Sequence, residues 1–259
     1  MEPKIVCPDF NLKGKKALVT GASRGIGRAL ALGLVHAGAR VALTARREDA
    51  LMQTAREVEA IGGTAVVQRM DVTDTDAIRQ GIGACARKMD GIDILINNAG
   101  CENVRDSLEV TPDLWDTIVD TNLKGAFFCA QAAARVMEKP DGGTIVNLCS
   151  LTSSVGVPTA VAYTSSKSGL LGMTRALAAE WAARKIRVNA IAPGYFHTEM
   201  TDVFFQDEAW AQEMKSKIPM NRFGNVQDLV GTTVFLCSAA SDYITGQMIT
   251  IDGGYLSTL

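Results

Sequence analysis

Seven short runs of apolar and β-branched residues alternate with longer amphipathic segments from residue 16 onward. The runs are almost continuously apolar, as expected of parallel strands that helices cover on both faces. No Pro/Gly/Ser-rich linker divides the pattern. It predicts an α/β fold with one doubly wound, parallel, seven-stranded sheet and helices on both faces, in a single domain. The predicted strands are Ala17–Thr20, Val41–Thr44, Ala65–Gln68, Ile92–Ile96, Thr144–Leu148, Ile186–Ala190 and Met248–Ile251.

The composition argues against several classes of protein. The formal net charge of −2 gives no electrostatic reason to expect nucleic acid, and no long basic run marks a membrane surface. No segment approaches the ~20 apolar residues that span a bilayer, and the N-terminus has no apolar stretch of signal-peptide length. The six cysteines are scattered without a CxxC pair. This pattern predicts a cytoplasmic protein with reduced thiols and no metal site.

A glycine-rich turn follows the first predicted strand. The strand ends at Thr20 and leads into Gly21-Ala-Ser-Arg-Gly-Ile-Gly27, and an Ala/Leu-rich helix follows. Gly21 allows a tight turn, Gly25 allows a pyrophosphate to approach, and Gly27 lets the helix pack on the strand. The helix N-terminus then attracts phosphate. A strand-to-helix turn that binds no ligand is the alternative interpretation of these glycines. We expect a loose leader over 1–15 and one dinucleotide-binding catalytic domain over 16–259.

The end of the second predicted strand indicates which dinucleotide binds. It carries Ala45 and Arg46 where enzymes for the unphosphorylated cofactor usually have an acidic residue that accepts from the ribose hydroxyls. Arg24 in the glycine turn reaches the same side, and Arg47 follows directly. Guanidinium groups without an opposing carboxylate suit a 2′-phosphate. We therefore expect NADP(H) to be preferred, with NAD(H) as the second choice; solvated surface arginines are the alternative.

Tyr163 and Lys167 stand four residues apart, which places them on the same face of a helix. The ammonium is expected to favour the phenolate and to lower the tyrosine pKa toward working pH. Ser150 can hold a carbonyl oxygen while Tyr163 gives it a proton. With a dinucleotide that supplies hydride, this set predicts an oxidoreductase. A cofactor-binding sensor without turnover is the rival hypothesis, and loss of Tyr163 or Lys167 would have favoured it.

Together these motifs resemble the classical short-chain dehydrogenase/reductase family across nearly the whole chain. The resemblance implies a Rossmann-type fold and a catalytic set of four residues. Ser150 would polarise the substrate oxygen, and Tyr163 would be the general acid in reduction and the base in oxidation. Lys167 would bind the nicotinamide ribose and lower the Tyr163 pKa, and Asn122 would hold a water that carries the proton onward. The matching segments are Thr20–Gly27, Asn97–Gly100, Asn122, Ser150, Tyr163 with Lys167, and Pro193-Gly194 with Thr198.

The predicted cofactor site extends along the whole row of strand ends. Asp71 and Val72 are expected to contact the adenine amino group of the cofactor. The resemblance implies that the nicotinamide is flanked by Pro193, Gly194 and Thr198. The predicted cofactor residues are Gly21, Ser23, Arg24, Gly25, Ile26, Gly27, Arg46, Arg47, Asp71, Val72, Asn98, Ala99, Gly100, Tyr163, Lys167, Pro193, Gly194 and Thr198.

The substrate is defined only by class. The stretches 192–200 and 218–224 resemble gluconate 5-dehydrogenase and 3-oxoacyl-carrier-protein reductase relatives, so we expect a keto sugar acid, a polyol or another small ketone. A carrier-protein thioester is the alternative; an acidic carrier would need a basic entrance, for which Arg184, Lys185 and Arg187 are the candidates.

A substrate lid is expected over about 195–220. Its aromatic residues suit a partly apolar ketone, although such aromatics more often serve only lid packing. Glu102 could accept hydrogen bonds from substrate hydroxyls; the alternative is that it is a solvated loop carboxylate without a role in binding. The predicted substrate residues are Ser150, Glu102, Tyr195, Phe196 and Phe204.

The family resemblance also implies a homotetramer that pairs through helices at about 111–138 and 161–184 and through the C-terminal strand. Small residues on the second helix would let a symmetry-related helix approach closely. Helix-to-sheet packing is the alternative role for these residues, which are Gly169, Gly172, Ala176 and Ala179.

Overall fold

Seven parallel strands form one sheet in the computed structural model, which describes residues 8–138, 141–198 and 206–258. The strands are β1 (Lys16–Thr20), β2 (Arg40–Ala45), β3 (Ala65–Arg69), β4 (Ile94–Asn97), β5 (Gly143–Leu148), β6 (Ile186–Pro193) and β7 (Met248–Ile251). Their order in the sheet is β3-β2-β1-β4-β5-β6-β7. The predicted fold is confirmed. The strand ends differ from the prediction. Strand β4 starts later than expected, because the preceding residue, Asp93, accepts a hydrogen bond from the Lys16 N–H on its carboxylate.

Eight α-helices of the described residues cover the sheet. They are α1 (Gly25–His36), α2 (Glu48–Ala60), α3 (Thr75–Met89), α4 (Pro112–Val119), α5 (Gly125–Met137), α6 (Val161–Trp181), α7 (Glu208–Ser216) and α8 (Val230–Cys237). Within the described ranges, no helix is long and apolar enough to cross a membrane.

Successive residues of a strand supply two separate apolar layers, one on each face of the sheet. Val19 of β1 packs in the layer that includes Leu30 of α1, whereas the preceding Leu18 packs in the layer that includes Ile82 of α3. All four side chains are at most 1% exposed. Because both faces are buried in this way, the strands appear in the sequence as continuous apolar runs rather than as alternating ones.

The strand order reverses beside β1, and this reversal positions the site. The chain builds outward from β1 through β2 to β3, and then returns to place β4 on the other side of β1. Adjacent crossovers therefore lie on opposite faces and leave a crevice beyond the carboxyl ends of β1 and β4.

The leader expected over 1–15 is not loose in its second half. Leu12 is fully buried in the core, and its N–H donates to the carbonyl of Ala37 at 2.7 Å. The Phe10 ring lies 6.1 Å from that of Phe235 in α8. Burial of Leu12 and the contact of the Phe10 ring with Phe235 hold this stretch against α1 and α8. Residues 1–7 lie outside the described residues.

Candidate active site

One cavity of about 810 Å³ follows the carboxyl ends of the strands from β3 to β6. This volume is typical of a small-molecule site. Every residue predicted to bind the cofactor lines it, together with Ser150, Glu102 and Phe196. Sequence reasoning missed lining residues whose small or apolar side chains carry no chemical signal of their own. They are Met70, Thr73, Cys101, Thr117, Thr121 and Leu148.

The glycine turn after β1 is held against the loop that follows β4. The Asn98 side chain donates to the carbonyls of Thr20 at 2.9 Å and Gly21 at 3.1 Å. The Thr20 hydroxyl accepts the N–H groups of Asn98 and Ala99, each at 3.0 Å. Gly21 has a φ of +65°, and a Cβ there would lie 2.9 Å from the Cα of Ala99. Only glycine fits between the two loops, because any side chain would push them apart.

The N-terminus of α1 opens into the same cavity. The side chain of Arg24, the residue before the helix, does not cap it, and the first turn contains no acidic residue, so backbone N–H groups of this turn can bind an anion. Arg46 and Arg47 follow β2 in the cavity wall. Among the described residues, neither arginine pairs with an acidic side chain. These groups fit a dinucleotide that carries an additional phosphate.

Ser150, Tyr163 and Lys167 meet beyond the carboxyl end of β5. Ser150 stands two residues after the end of this strand, and its hydroxyl accepts the N–H of Thr152 at 3.2 Å. Tyr163 lies in the first turn of α6 and Lys167 one turn later, with its Nζ 5.5 Å from the centre of the Tyr163 ring. The same Nζ donates to the carbonyl of Leu148 at 2.6 Å. The structure thus brings together three of the four predicted catalytic groups at one wall of the cavity.

The pKa of Tyr163 departs from the prediction. Burial raises the pKa of this phenol, the Glu102 carboxylate raises it further, and a hydrogen bond with Ser150 lowers it only in part. Burial also lowers the pKa of the Lys167 ammonium. The pKa of Tyr163 thus shifts in the direction opposite to the fall expected from Lys167, because burial disfavours the charged phenolate. Tyr163 is therefore held in its protonated form.

Asn122 lies behind the cavity rather than in its lining. It belongs to the π-helical turn Asp120–Lys124 between α4 and α5, and it is 1% exposed. Its side chain accepts the N–H of Cys101 at 2.8 Å and donates to the Cys101 carbonyl at 2.9 Å and to the Ser166 hydroxyl at 3.1 Å. Asn122 therefore clamps the loop after β4 against α6. Its role in holding a water stays a prediction.

Two further serines, Ser166 and Ser153, also position the catalytic groups. The Ser166 hydroxyl, which accepts a hydrogen bond from the Asn122 side chain, donates to the Tyr163 carbonyl at 2.7 Å. The Ser153 hydroxyl donates to the Lys167 carbonyl at 2.9 Å and accepts the N–H of Ser150 at 3.4 Å. The two bonds of Ser153 tie the turn after β5 to α6, whereas the bond of Ser166 lies within α6. Their partners are backbone groups, which no residue spacing reveals.

Only some of the predicted substrate residues line the cavity. Glu102 and Phe196 line the cavity. Tyr195 does not, because its ring packs in an aromatic cluster, 5.9 Å from Trp210 and 5.2 Å from Tyr255. The chain bends at Tyr195, just before the bridge at Phe196, and the two adjacent rings lie in different surroundings.

Part of the predicted lid over 195–220 is described. It contains α7 and the short bridge between Phe196 and Gly224. Phe204 and the remainder of 199–205 lie outside the described residues.

The basic cluster suggested for an acidic carrier lies at the wrong end of the sheet. Arg184, Lys185 and Arg187 surround the start of β6, whereas the cavity lies at the end of this strand, about 23 Å away at ~3.3 Å per residue. Arg184 pairs with Glu138 at 3.1 Å, and Arg187 donates to backbone carbonyls at the end of α8. The prediction of a basic entrance from these residues is wrong, because their strand points them away from the catalytic edge.

Comparison with known proteins defines the class of enzyme. The family described as enoyl-(acyl carrier protein) reductase matches residues 21–256, which include the glycine turn and all four predicted catalytic residues. The chain belongs to the classical short-chain dehydrogenase/reductase family and is an oxidoreductase.

Particular relatives narrow the comparison. Gluconate 5-dehydrogenase from Gluconobacter oxydans (strain 621H) is 42% identical over 253 residues, which cover 97% of this chain and 99% of the relative. A protein from Sinorhizobium meliloti 1021 that is assigned as a short-chain alcohol dehydrogenase has a crystal structure with a TM-score of 0.95 and 59% identity, covering 97% of this chain and 100% of the other. Gluconate 5-dehydrogenase from Burkholderia cenocepacia J2315, solved in complex with NADP and tartrate, has a TM-score of 0.94 and 37% identity, with coverage of 97% and 99%.

Proposed function

We propose that the protein is an NADP(H)-dependent oxidoreductase that transfers hydride between the nicotinamide and a carbonyl or secondary alcohol. The observation that carries this proposal is the shared cavity, in which Ser150, Tyr163 and Lys167 stand beside the glycine turn. Its substrate is a small ketone or the matching alcohol, of the keto sugar acid or polyol kind. Relatives named gluconate 5-dehydrogenase support the polyhydroxy class.

The cofactor assignment is supported by the glycine turn, the uncapped N-terminus of α1 and the arginines after β2, all of which fit an anionic dinucleotide. Bound NADPH supplies a hydride, and its oxidised form brings a positive ring charge. NADP in the solved gluconate 5-dehydrogenase from Burkholderia cenocepacia points the same way. Lys167 would hold the nicotinamide ribose of the bound cofactor.

The protein groups manage the proton. Ser150 donates to the substrate oxygen and orients it toward the phenol. Tyr163, which burial keeps protonated, gives its proton to that oxygen during reduction and takes it back during oxidation. Asn122 keeps the loop after β4 and helix α6 at a fixed separation through its bonds to Cys101 and Ser166. The phenol and the hydroxyl therefore stay in one geometry relative to the substrate.

A panel of ketones and polyols tests the proposed function. We expect oxidation of NADPH with at least one small hydroxyketone, and reduction of NADP⁺ with the matching alcohol, both followed by absorbance at the nicotinamide band. Absence of turnover with every member, despite tight NADPH binding, would favour the cofactor-binding sensor. The complete set of acid–base residues argues against that sensor.

Preference for NADPH should depend on Arg46. A hydrogen bond to a charged group contributes ~1.5–3 kcal/mol, so Arg46→Ala should weaken NADPH binding by about one to two orders of magnitude and NADH binding far less. Arg24→Ala should act in the same direction. Arg56→Ala on the exposed side of α2 is the matched control and should change neither Kd. Equal affinity of the unmodified protein for NADPH and NADH would contradict the assignment.

A carrier-protein thioester is a weaker candidate substrate. Arg184, Lys185 and Arg187 lie at the far end of β6, so the described catalytic edge receives no basic entrance from them. Reduction of a small ketone with no gain from an acyl carrier protein is the expected result.

We further infer a homotetramer with its helices α6 paired. Gly172, Ala176 and Ala179 are exposed on α6 and form one small-residue face. Gly169 is different, because a Cβ there would lie 2.8 Å from Leu123 of the same chain. Light scattering should give about four times the 27.6 kDa of one chain, and Ala176→Arg should reduce this mass.

Ala60→Arg at the exposed end of α2 is the control for this variant and should leave the assembly intact. A fully active species with the mass of one chain would exclude the tetramer.

The proposed cytoplasmic location rests on the cysteines, since the five that are described are unpaired and four of these are buried.

A further inference from the structure

Glu102 is the acidic side chain at the catalytic end of the described cavity lining. Resting on the proposed function, we infer that Glu102 selects uncharged polyhydroxy substrates, polyols and the matching ketoses, and discriminates against sugar acids. The enzyme would then differ in substrate charge from the relatives named gluconate dehydrogenases, while it keeps the same reaction.

The backbone on which Glu102 stands is held firmly. The preceding residue, Cys101, is bonded through both its N–H and its carbonyl to the buried Asn122 side chain, at 2.8 and 2.9 Å. The side chain of Glu102 is partly buried and lines the cavity that also contains Ser150 and Tyr163. Its position is therefore a property of the fold rather than of a loose surface loop.

The Glu102 carboxylate has acceptor capacity to spare. Among the described residues, no hydrogen bond or ion pair engages it, although its charge acts on Tyr163, Lys167 and Tyr195. Burial raises the pKa of Glu102, and Lys167 lowers it. A partly buried carboxylate without protein donors gains from ligand hydroxyl groups, which donate to it and replace lost water. A polyol offers such donors on every carbon.

Among the described residues that line the cavity, positive charge that could balance a substrate carboxylate is scarce at this end; Arg105, three residues after Glu102, is exposed and lies outside the lining. Lys167 is the cation in the lining here, and its Nζ already donates to the Leu148 carbonyl at 2.6 Å. Arg46 and Arg47 follow β2, three strand spacings or about 14 Å from β5.

The size of the effect follows from the Coulomb energy of two like charges. Consider a substrate carboxylate about 6–8 Å from the Glu102 carboxylate. At an effective dielectric constant of ~20, the repulsion corresponds to a factor of about 30–100 in affinity. A neutral terminal hydroxymethyl group escapes this repulsion and adds a donor.

Matched substrate pairs test this inference, because a polyol and its aldonic acid differ only in one terminal group. The pairs are D-sorbitol with D-gluconate, D-mannitol with D-mannonate, and galactitol with D-galactonate, each with NADP⁺. We expect the unmodified enzyme to favour the polyol in kcat/KM by at least tenfold. Glu102→Gln should raise kcat/KM for the acid about tenfold or more and leave or lower that for the polyol.

Two controls separate specificity from damage. Glu109→Gln removes an exposed carboxylate outside the cavity and should alter neither member of a pair. Both variants should keep the NADPH affinity of the unmodified enzyme, which shows that the fold is intact.

Several results would overturn the inference. They are a preference of the unmodified enzyme for the aldonic acid, an equal change of both substrates in Glu102→Gln, and a preference for a cationic amino alcohol over the matching polyol. Turnover of a simple ketone with NADPH but of no member of any pair would overturn it while the proposed function stands. Absence of any turnover would instead reject the proposed function.

Discussion

Tyr163→Phe should lower kcat by ~10²–10⁴-fold and leave the affinity for NADPH nearly unchanged. The substitution removes the hydroxyl that exchanges a proton with the substrate but keeps the ring and its packing in the first turn of α6. Tyr243→Phe is the matched control, because Tyr243 is fully exposed and far from the cavity lining. It should behave as the unmodified enzyme does. Retention of a near-normal kcat by Tyr163→Phe would contradict the acid–base assignment.

The pH profile gives a second measurement on the same variant. Oxidation of the alcohol needs the phenolate, and burial raises the Tyr163 pKa, so kcat/KM for oxidation should rise with pH across the alkaline range. Reduction needs the protonated phenol and should persist to higher pH. Tyr163→Phe should lose the alkaline rise in oxidation. If this dependence survived in the variant, another group would be the proton carrier.

Lys167→Met should weaken NADPH binding by about 10–100-fold and lower kcat as well. Lys167 is only 5% exposed, and its ammonium stands between the carbonyl of Leu148 and the ring of Tyr163. A charged hydrogen bond to the ribose contributes ~1.5–3 kcal/mol, which sets the expected loss of affinity. Methionine keeps the length of the buried stem, so this variant isolates the charge better than Lys167→Ala.

Equilibrium binding and steady-state kinetics on the same preparation measure the two effects separately. Lys215→Ala on the exposed face of α7 removes a lysine outside the cavity and should change neither quantity. If Lys167→Met altered neither kcat nor the Kd for NADPH, the assignment of two roles to this ammonium would be wrong.

The strand pattern was predictable because it depends on residues that are neighbours in the chain. A sheet buried on both faces requires continuous apolar runs, and the seven runs from Ala17 to Ile251 became the seven strands. The glycine turn was equally local, since Gly21 and Gly25 both adopt positive φ. The four-residue spacing of Tyr163 and Lys167 placed them on one helix face for the same reason.

Burial, in contrast, depends on elements that are distant in the chain. Leu12 was expected in a loose leader, but its burial follows from contact with α1 and α8. The fall in the Tyr163 pKa expected from Lys167 was reversed because the packed helix removes water from the phenol. The spacing of two residues contains no information about the desolvation that a third element imposes.

The α/β class, the order in which the strands appear, the phosphate turn and the acid–base pair could all be predicted from the chain, because each follows from local periodicity or spacing. Three features depend on how distant elements pack: Asn122 clamps the loop after β4, Tyr195 faces away from the cavity, and the carboxylate of Glu102 lines it. These properties are set by the directions in which side chains point once β4, α5 and α6 have packed together, and no single segment specifies such directions.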